Sequence, residues 1–174
     1  MAKIIIINFI RFTLLFVLQV AVLKNIGYYN IAVAFPYILA ILLLPIGISN
    51  FTVYLVAFVM GLTIDAFYDS VGIHSAACVA LAWFRIFFHN ITLEADDQNS
   101  FLTPDWSNRG FKWFITYVLF ATIVHHFILF IIEVFSFNNL HQTLGSALLS
   151  SVCTILIIFI ISLLTYKKKT RLVN

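Results

Sequence analysis

Charge is what this sequence has least of. Only 10% of its 174 residues are Asp, Glu, Lys or Arg, while 63% are hydrophobic. Mean hydropathy is +1.06. A soluble domain is about a quarter charged and about half apolar, so a water-soluble single domain is excluded. Cysteine is also scarce. Cys78 and Cys153 fall inside apolar runs, with no disulfide or metal-ligand spacing, and read as small packing residues. No Gly-x-Ser-x-Gly elbow, phosphate-cradling glycine loop or His-Glu-x-x-His motif occurs. Asp65 and Asp69 lie one turn apart on one helix. Paired-aspartate intramembrane proteases place theirs on separate helices, so no catalytic residue is expected and the chain reads as non-enzymatic. No cofactor and no metal are expected either.

Long apolar runs are what is there instead. About 20 such residues cross roughly 30 Å of hydrocarbon as a helix. Six stretches qualify, at about 4–23, 31–48, 51–69, 72–89, 112–135 and 143–166. The expected fold is an all-α, polytopic membrane helix bundle forming one domain over 1–174. The second stretch carries Pro36 and Pro45, which predicts a kinked or broken helix. A five-helix arrangement with that stretch re-entrant is the rival. Tyr68 to Gly72 is expected to be a tight turn. Runs such as Ile4 to Ile7 do not alternate, which excludes a β-barrel. The first stretch is too long, and lacks a small-residue cleavage site, for a signal peptide.

Lys and Arg mark the cytoplasmic side of a membrane protein. Lys3, Arg11, Arg85, Arg109, Lys112 and the tail at 167–174 fall on one side of a six-helix layout, and Lys24 on the other. Both termini and the loop at about 90–111 are therefore expected in the cytoplasm. That loop reads as a flexible connector or as a docking segment. The basic tail predicts contact with anionic lipid headgroups rather than nucleic acid.

Ionisable groups at membrane depth are expensive and point to function. Gly61, Asp65, Tyr68 and Gly72 recur at helical spacing. Asp65, Asp69, His74, Glu133 and His141 could form one polar cluster. His125, His126 and Glu133 share the fifth stretch. Arg11 lies about 10 Å deep by helical rise and is expected to snorkel; pairing it with Asp65 would need tilt. Ala76 with Ala80, and Ser146 with Ser150, read as small-residue packing faces.

The run Phe58-Val-Met-Gly61-Leu-Thr-Ile-Asp65, continuing through Gly72 and His74 to Arg85, resembles the signature of the MreD family, rod-shape-determining membrane proteins of bacteria. His74 and Arg85 resemble its Bacteroidetes branch. Outside 58–85 the likeness is only one of helix layout. The resemblance implies a bacterial inner-membrane protein that works with an MreC-like single-pass partner, MreB and a RodA-type wall synthase. It also implies a fold similar to the substrate-binding components of vitamin importers. That fold supplies an alternative function, a small-molecule transport subunit. Those components carry an Ala-x-x-x-Ala docking face on the first helix, where this chain has only Ala21. Gly61, Asp65, Tyr68, Gly72, His74 and Arg85 are the candidate partner-contact or helix-packing residues. Arg11, His125, His126 and Glu133 are the other intramembrane polar candidates.

Overall fold

The computed structural model describes residues 2–26, 32–134 and 140–166. Among these it is all-α, with eight α-helices: α1 Ala2–Val17, α2 Ile38–Leu42, α3 Asn50–Tyr68, α4 Ile73–Thr92, α5 Ala95–Gln98, α6 Trp106–Arg109, α7 Phe111–Val134 and α8 Leu140–Thr165. Four helical stretches are long and apolar enough to cross a bilayer: Lys3–Asn25, Asn50–Tyr68, Phe111–Glu133 and His141–Thr165. Helix α4 is as long as α3 but carries His74, Arg85, His89 and Asn90, which lower its hydropathy.

Helices α3, α4, α7 and α8 pack in chain order, each against the next. Their outward side chains are large and apolar, including Phe51, Leu62, Trp83, Phe127 and Leu164, all exposed. In lipid such a surface carries no hydrophobic penalty.

The second stretch departs from its expectation. A spanning helix over 31–48 does not form; only Ile38–Leu42 is α-helical. The prolines are the reason. Pro36 disfavours helix at Phe35 and lacks an N–H, and Pro45 ends the element at the other side. The segment runs through the protein interior instead: Phe35, Tyr37 to Leu44 and Ile46 are all buried. It passes from the level of Ser150 on α8 to the loop beyond α4, so it travels the length of the bundle rather than turning back. The Val33 amide donates to Ser150 Oγ (3.0 Å). At the far end the Ile46 and Gly47 amides donate to Leu102 O (3.0 Å) and Ser100 O (2.8 Å). Non-helical backbone at membrane depth survives only where protein satisfies it.

Helix α1 rests on this segment and little else. It ends in a π-helical turn, Leu18–Val22, and a 3-10 turn, Leu23–Asn25. Within the π turn Gln19 is fully buried and donates to Ala34 O (3.1 Å) and Tyr68 Oη (2.7 Å). Lys24 closes the same end by donating to Phe67 O.

The loop after α4 is not a free connector. It holds α5 and α6, its Ser100 and Leu102 carbonyls accept from the amides of residues 47 and 46, and it is closed by an Arg109–Asp97 ion pair (2.6 Å). Asp105 caps α6 by accepting from the Asn108 amide (2.9 Å). The basic tail at 167–174 lies outside the described residues.

Candidate functional site

The Gly61–Asp65–Gly72 pattern builds a helical hairpin. Tyr68 ends α3, and Asp69 takes the left-handed conformation (φ 54°) as its C-cap. Gly72, at φ 80°, begins α4 as an N-cap residue with no side chain to offer. An N-cap side chain ordinarily accepts from the second and third helical amides. Here those amides belong to His74 and Ser75, and Asp65 of the preceding helix takes both. The His74 amide donates to Oδ1 (2.9 Å) and the Ser75 amide to Oδ2 (3.0 Å). Ser70 Oγ adds a bond to Oδ1 (2.7 Å) and Ser75 Oγ one to Oδ2 (2.6 Å).

Every partner is a donor, so both carboxylate oxygens act purely as acceptors. The negative charge also sits at the positive end of the α4 dipole. Gly61 makes the approach possible: a Cβ there would lie 2.3 Å from Ser75 Cα and 2.6 Å from its nitrogen. Only hydrogen fits at that crossing.

Next to the hairpin, Tyr37 of the crossing segment bridges two histidines. Its Oη lies 3.0 Å from His74 Nδ1 and 2.9 Å from His125 Nε2. One hydroxyl proton serves only one of these contacts, so the other imidazole must donate to Tyr37. His126 faces Thr122 O through Nδ1 (2.9 Å) and Thr154 Oγ1 through Nε2 (3.0 Å). A carbonyl can only accept, so in the neutral ring Nδ1 carries the proton. Thr154 Oγ1 in turn accepts from the Phe35 amide (2.9 Å). The Phe35 ring meets His74, edge-on, and His126 at centroid distances of 5.3 and 5.6 Å. Phe35, Tyr37, His74, His125, His126 and Thr154 are all buried.

At the other end of the crossing segment, four successive carbonyls are satisfied by side chains. Tyr117 Oη donates to Leu42 O (3.2 Å) and Arg11 Nη1 to Leu43 O (2.9 Å). Arg85 Nη2 donates to both Leu44 O (2.8 Å) and Pro45 O (2.9 Å). Arg85 is 2% exposed, and among the described residues no carboxylate pairs with it. Carbonyl dipoles take the place of a counter-ion.

The candidate residues therefore divide. Gly61, Asp65, Gly72 and His74 form one unit, which Tyr68 joins through its ring, 5.0 Å from that of His74. Arg85 belongs to the carbonyl clamp with Arg11, which does not simply snorkel and does not meet Asp65. His125 and His126 join His74 around Tyr37 and Phe35. The expected cluster of Asp65, Asp69, His74, Glu133 and His141 does not form. Asp65 and His74 point inward, whereas Asp69, Glu133 and His141 are exposed. Ala76 is likewise exposed; α4 buries Ala77, Cys78, Leu81 and Ala82 instead. On α8, Ser150 is buried and Ser146 partly so, as a packing face requires.

Sequence reasoning missed Tyr37, Gln19, Ser75, Tyr117 and Thr154. The one available signal for them is a polar residue inside an apolar run. Among the described residues no group of three or more His, Cys, Asp and Glu could hold a metal ion. What the arrangement does chemically is satisfy a non-helical backbone inside an apolar bundle. Comparison with known proteins adds no identity to this geometry: no family model, no curated protein and no solved structure matches the chain.

Proposed function

We propose that this chain is a non-enzymatic integral membrane component of a bacterial cell-elongation complex, of the MreD kind. In this reading it sits in the inner membrane with both termini in the cytoplasm. Five long helices and the segment at 32–48 make six crossings. It contributes to cell shape by binding an MreC-like single-pass protein, and through it MreB and a RodA-type synthase. The basic tail at 167–174 meets anionic lipid.

The observation that carries the reading is the role of the resembling residues. Gly61, Asp65 and Gly72 are each required by one hairpin, so the spacing has a structural cause rather than a chance one. Because Asp65 and His74 are buried, a partner reads the hairpin's outer surface, and the lock acts by holding that surface in shape.

The test is affinity purification of the full chain from native membranes, with the captured proteins identified. An MreC-like protein is expected in the eluate, reduced by Asp65→Ala at matched membrane levels. Unchanged capture together with normal cell width would sink the proposal. A reporter fused after Asn174 should read cytoplasmic.

A transport subunit is the second reading. A cleft of about 620 Å³ beside α1 favours it, being the size of a small-molecule pocket. Stabilisation of the purified chain by one member of a vitamin panel would support it over the first.

A further inference from the structure

Helix α1 leaves a cleft between itself, α6 and α8, of about 620 Å³. Its walls are divided by chemistry. Ile10, Leu14 and Ile161 line one part, and Arg11, Asp105 and Asn108 another. Trp106 and Tyr166 stand beside the polar part with ring centroids 5.0 Å apart. Amphipathic rings of this kind collect at the level of lipid headgroups. The polar residues at α6 thus form a polar mouth to a largely apolar cleft.

The two charges at the mouth are of opposite sign. Arg11 and Asp105 line the same cleft and each lies in the other's field. Among the described residues they form no ion pair. Among the described residues, Arg11 bonds only through Nη1, to Asn8 Oδ1 and Leu43 O, which leaves its other nitrogens as donors there. Asp105 commits Oδ1 to the Asn108 amide, and among the described residues Oδ2 takes no hydrogen bond.

A ligand matching this mouth carries an anion and a cation on one small headgroup and an apolar chain behind it. We propose that the cleft binds a phospholipid with a zwitterionic, primary-amine headgroup, its phosphate on Arg11 and its ammonium on Asp105. The charges decide the headgroup. A purely anionic lipid would satisfy Arg11 and be repelled by Asp105. A choline headgroup has no N–H to donate to the Asp105 carboxylate, whereas a primary ammonium has three and forms the stronger charge-assisted bond. The acyl chain fills the cleft against α1, the least buried of the long apolar helices. The site depends on the membrane placement of the chain but not on its partnership in wall synthesis.

The experiment is native mass spectrometry of the detergent-purified full chain titrated with phosphatidylethanolamine, phosphatidylcholine or phosphatidylglycerol of identical acyl chains. Thermal stabilisation is read in parallel. Phosphatidylethanolamine should be retained several-fold better than either competitor. Asp105→Asn keeps a side chain able to cap α6; it should bring phosphatidylethanolamine retention down to that of phosphatidylcholine. Arg11→Gln, which can still donate to Leu43 O, should weaken all three lipids. Equal retention of the three by the unaltered chain would overturn the proposal, as would unchanged selectivity in Asp105→Asn. Stabilisation by soluble phosphoethanolamine equal to that by the lipid would also overturn it, by assigning the site to a small molecule. If Arg11→Gln fails to fold, the Asp105→Asn comparison decides alone.

Discussion

Replacing Asp65 by alanine should separate α3 from α4 more than any other single truncation in the hairpin. The carboxylate satisfies two buried amides and two hydroxyls. Ser70 and Ser75 can rotate their hydroxyls toward other acceptors, but the His74 and Ser75 amides cannot turn. Each orphaned buried amide costs about 1–3 kcal/mol, and a lost N-cap costs about 0.5–2 kcal/mol. These overlap, because the cap consists of the same two amides, so the expected loss is about 2–5 kcal/mol.

Asp65→Asn is the sharper variant. Its carbonyl oxygen can keep one pair of donors, but its NH2 would then face the other pair, donor against donor. It should therefore cost at least about 2 kcal/mol, despite being isosteric. Asp65→Glu should also fail to restore stability, since the longer chain does not fit the tight α3–α4 crossing. The assay is reversible unfolding of the reconstituted chain, read by helicity and by hydrogen exchange at His74 and Ser75. An Asn variant within about 0.5 kcal/mol of the parent, the size of an unremarkable surface substitution, would refute the capping argument.

Four further outcomes are expected. Gly61→Ala should cost about 1–3 kcal/mol by overpacking against Ser75, seen in thermal unfolding; Gly145→Ala, with open space at its Cβ position, is the control and should be near neutral. Arg85→Met removes the donor of Leu44 O and Pro45 O and should destabilise by about 2–5 kcal/mol. In ¹⁵N spectra at neutral pH, His126 should be the Nδ1–H tautomer; an Nε2–H signal would contradict its bond to Thr122 O. The Arg109 guanidinium, bonded to Asp97, holds that carboxyl below its ordinary value of 3.8. A lowered folded value means the small stabilisation is present above that ordinary value and fades as pH falls through the lower one. Arg109→Gln should remove that acid-side slope from a pH series of unfolding midpoints and leave the neutral-pH helicity unchanged.

Helix α3, α4, α7 and α8 begin and end within a few residues of the positions their apolar runs indicate, and the Tyr68–Gly72 turn falls where expected. Membrane helices satisfy their own backbones, so hydropathy and length decide them locally. The Gly61–Asp65–Gly72 pattern was also visible as a unit, because its residues lie on two sequence-adjacent helices.

The crossing segment was different. Pro36 and Pro45 announced that 31–48 could not be a regular helix, yet nothing local said where its backbone would find partners. Those partners come from α1 and its terminal turn, α4, α7 and α8: Arg11 and Gln19, Arg85, Tyr117, and Ser150 with Thr154. The inward turn of His74 and the outward turn of Glu133 are likewise matters of which helix faces which. From the sequence alone came a membrane bundle, its helix limits and one glycine-marked polar hairpin. Tertiary structure decided that the hairpin's aspartate is an internal cap and that a broken, buried segment forms the bundle's axis, because unpaired backbone in an apolar interior accepts whatever donors the surrounding helices bring.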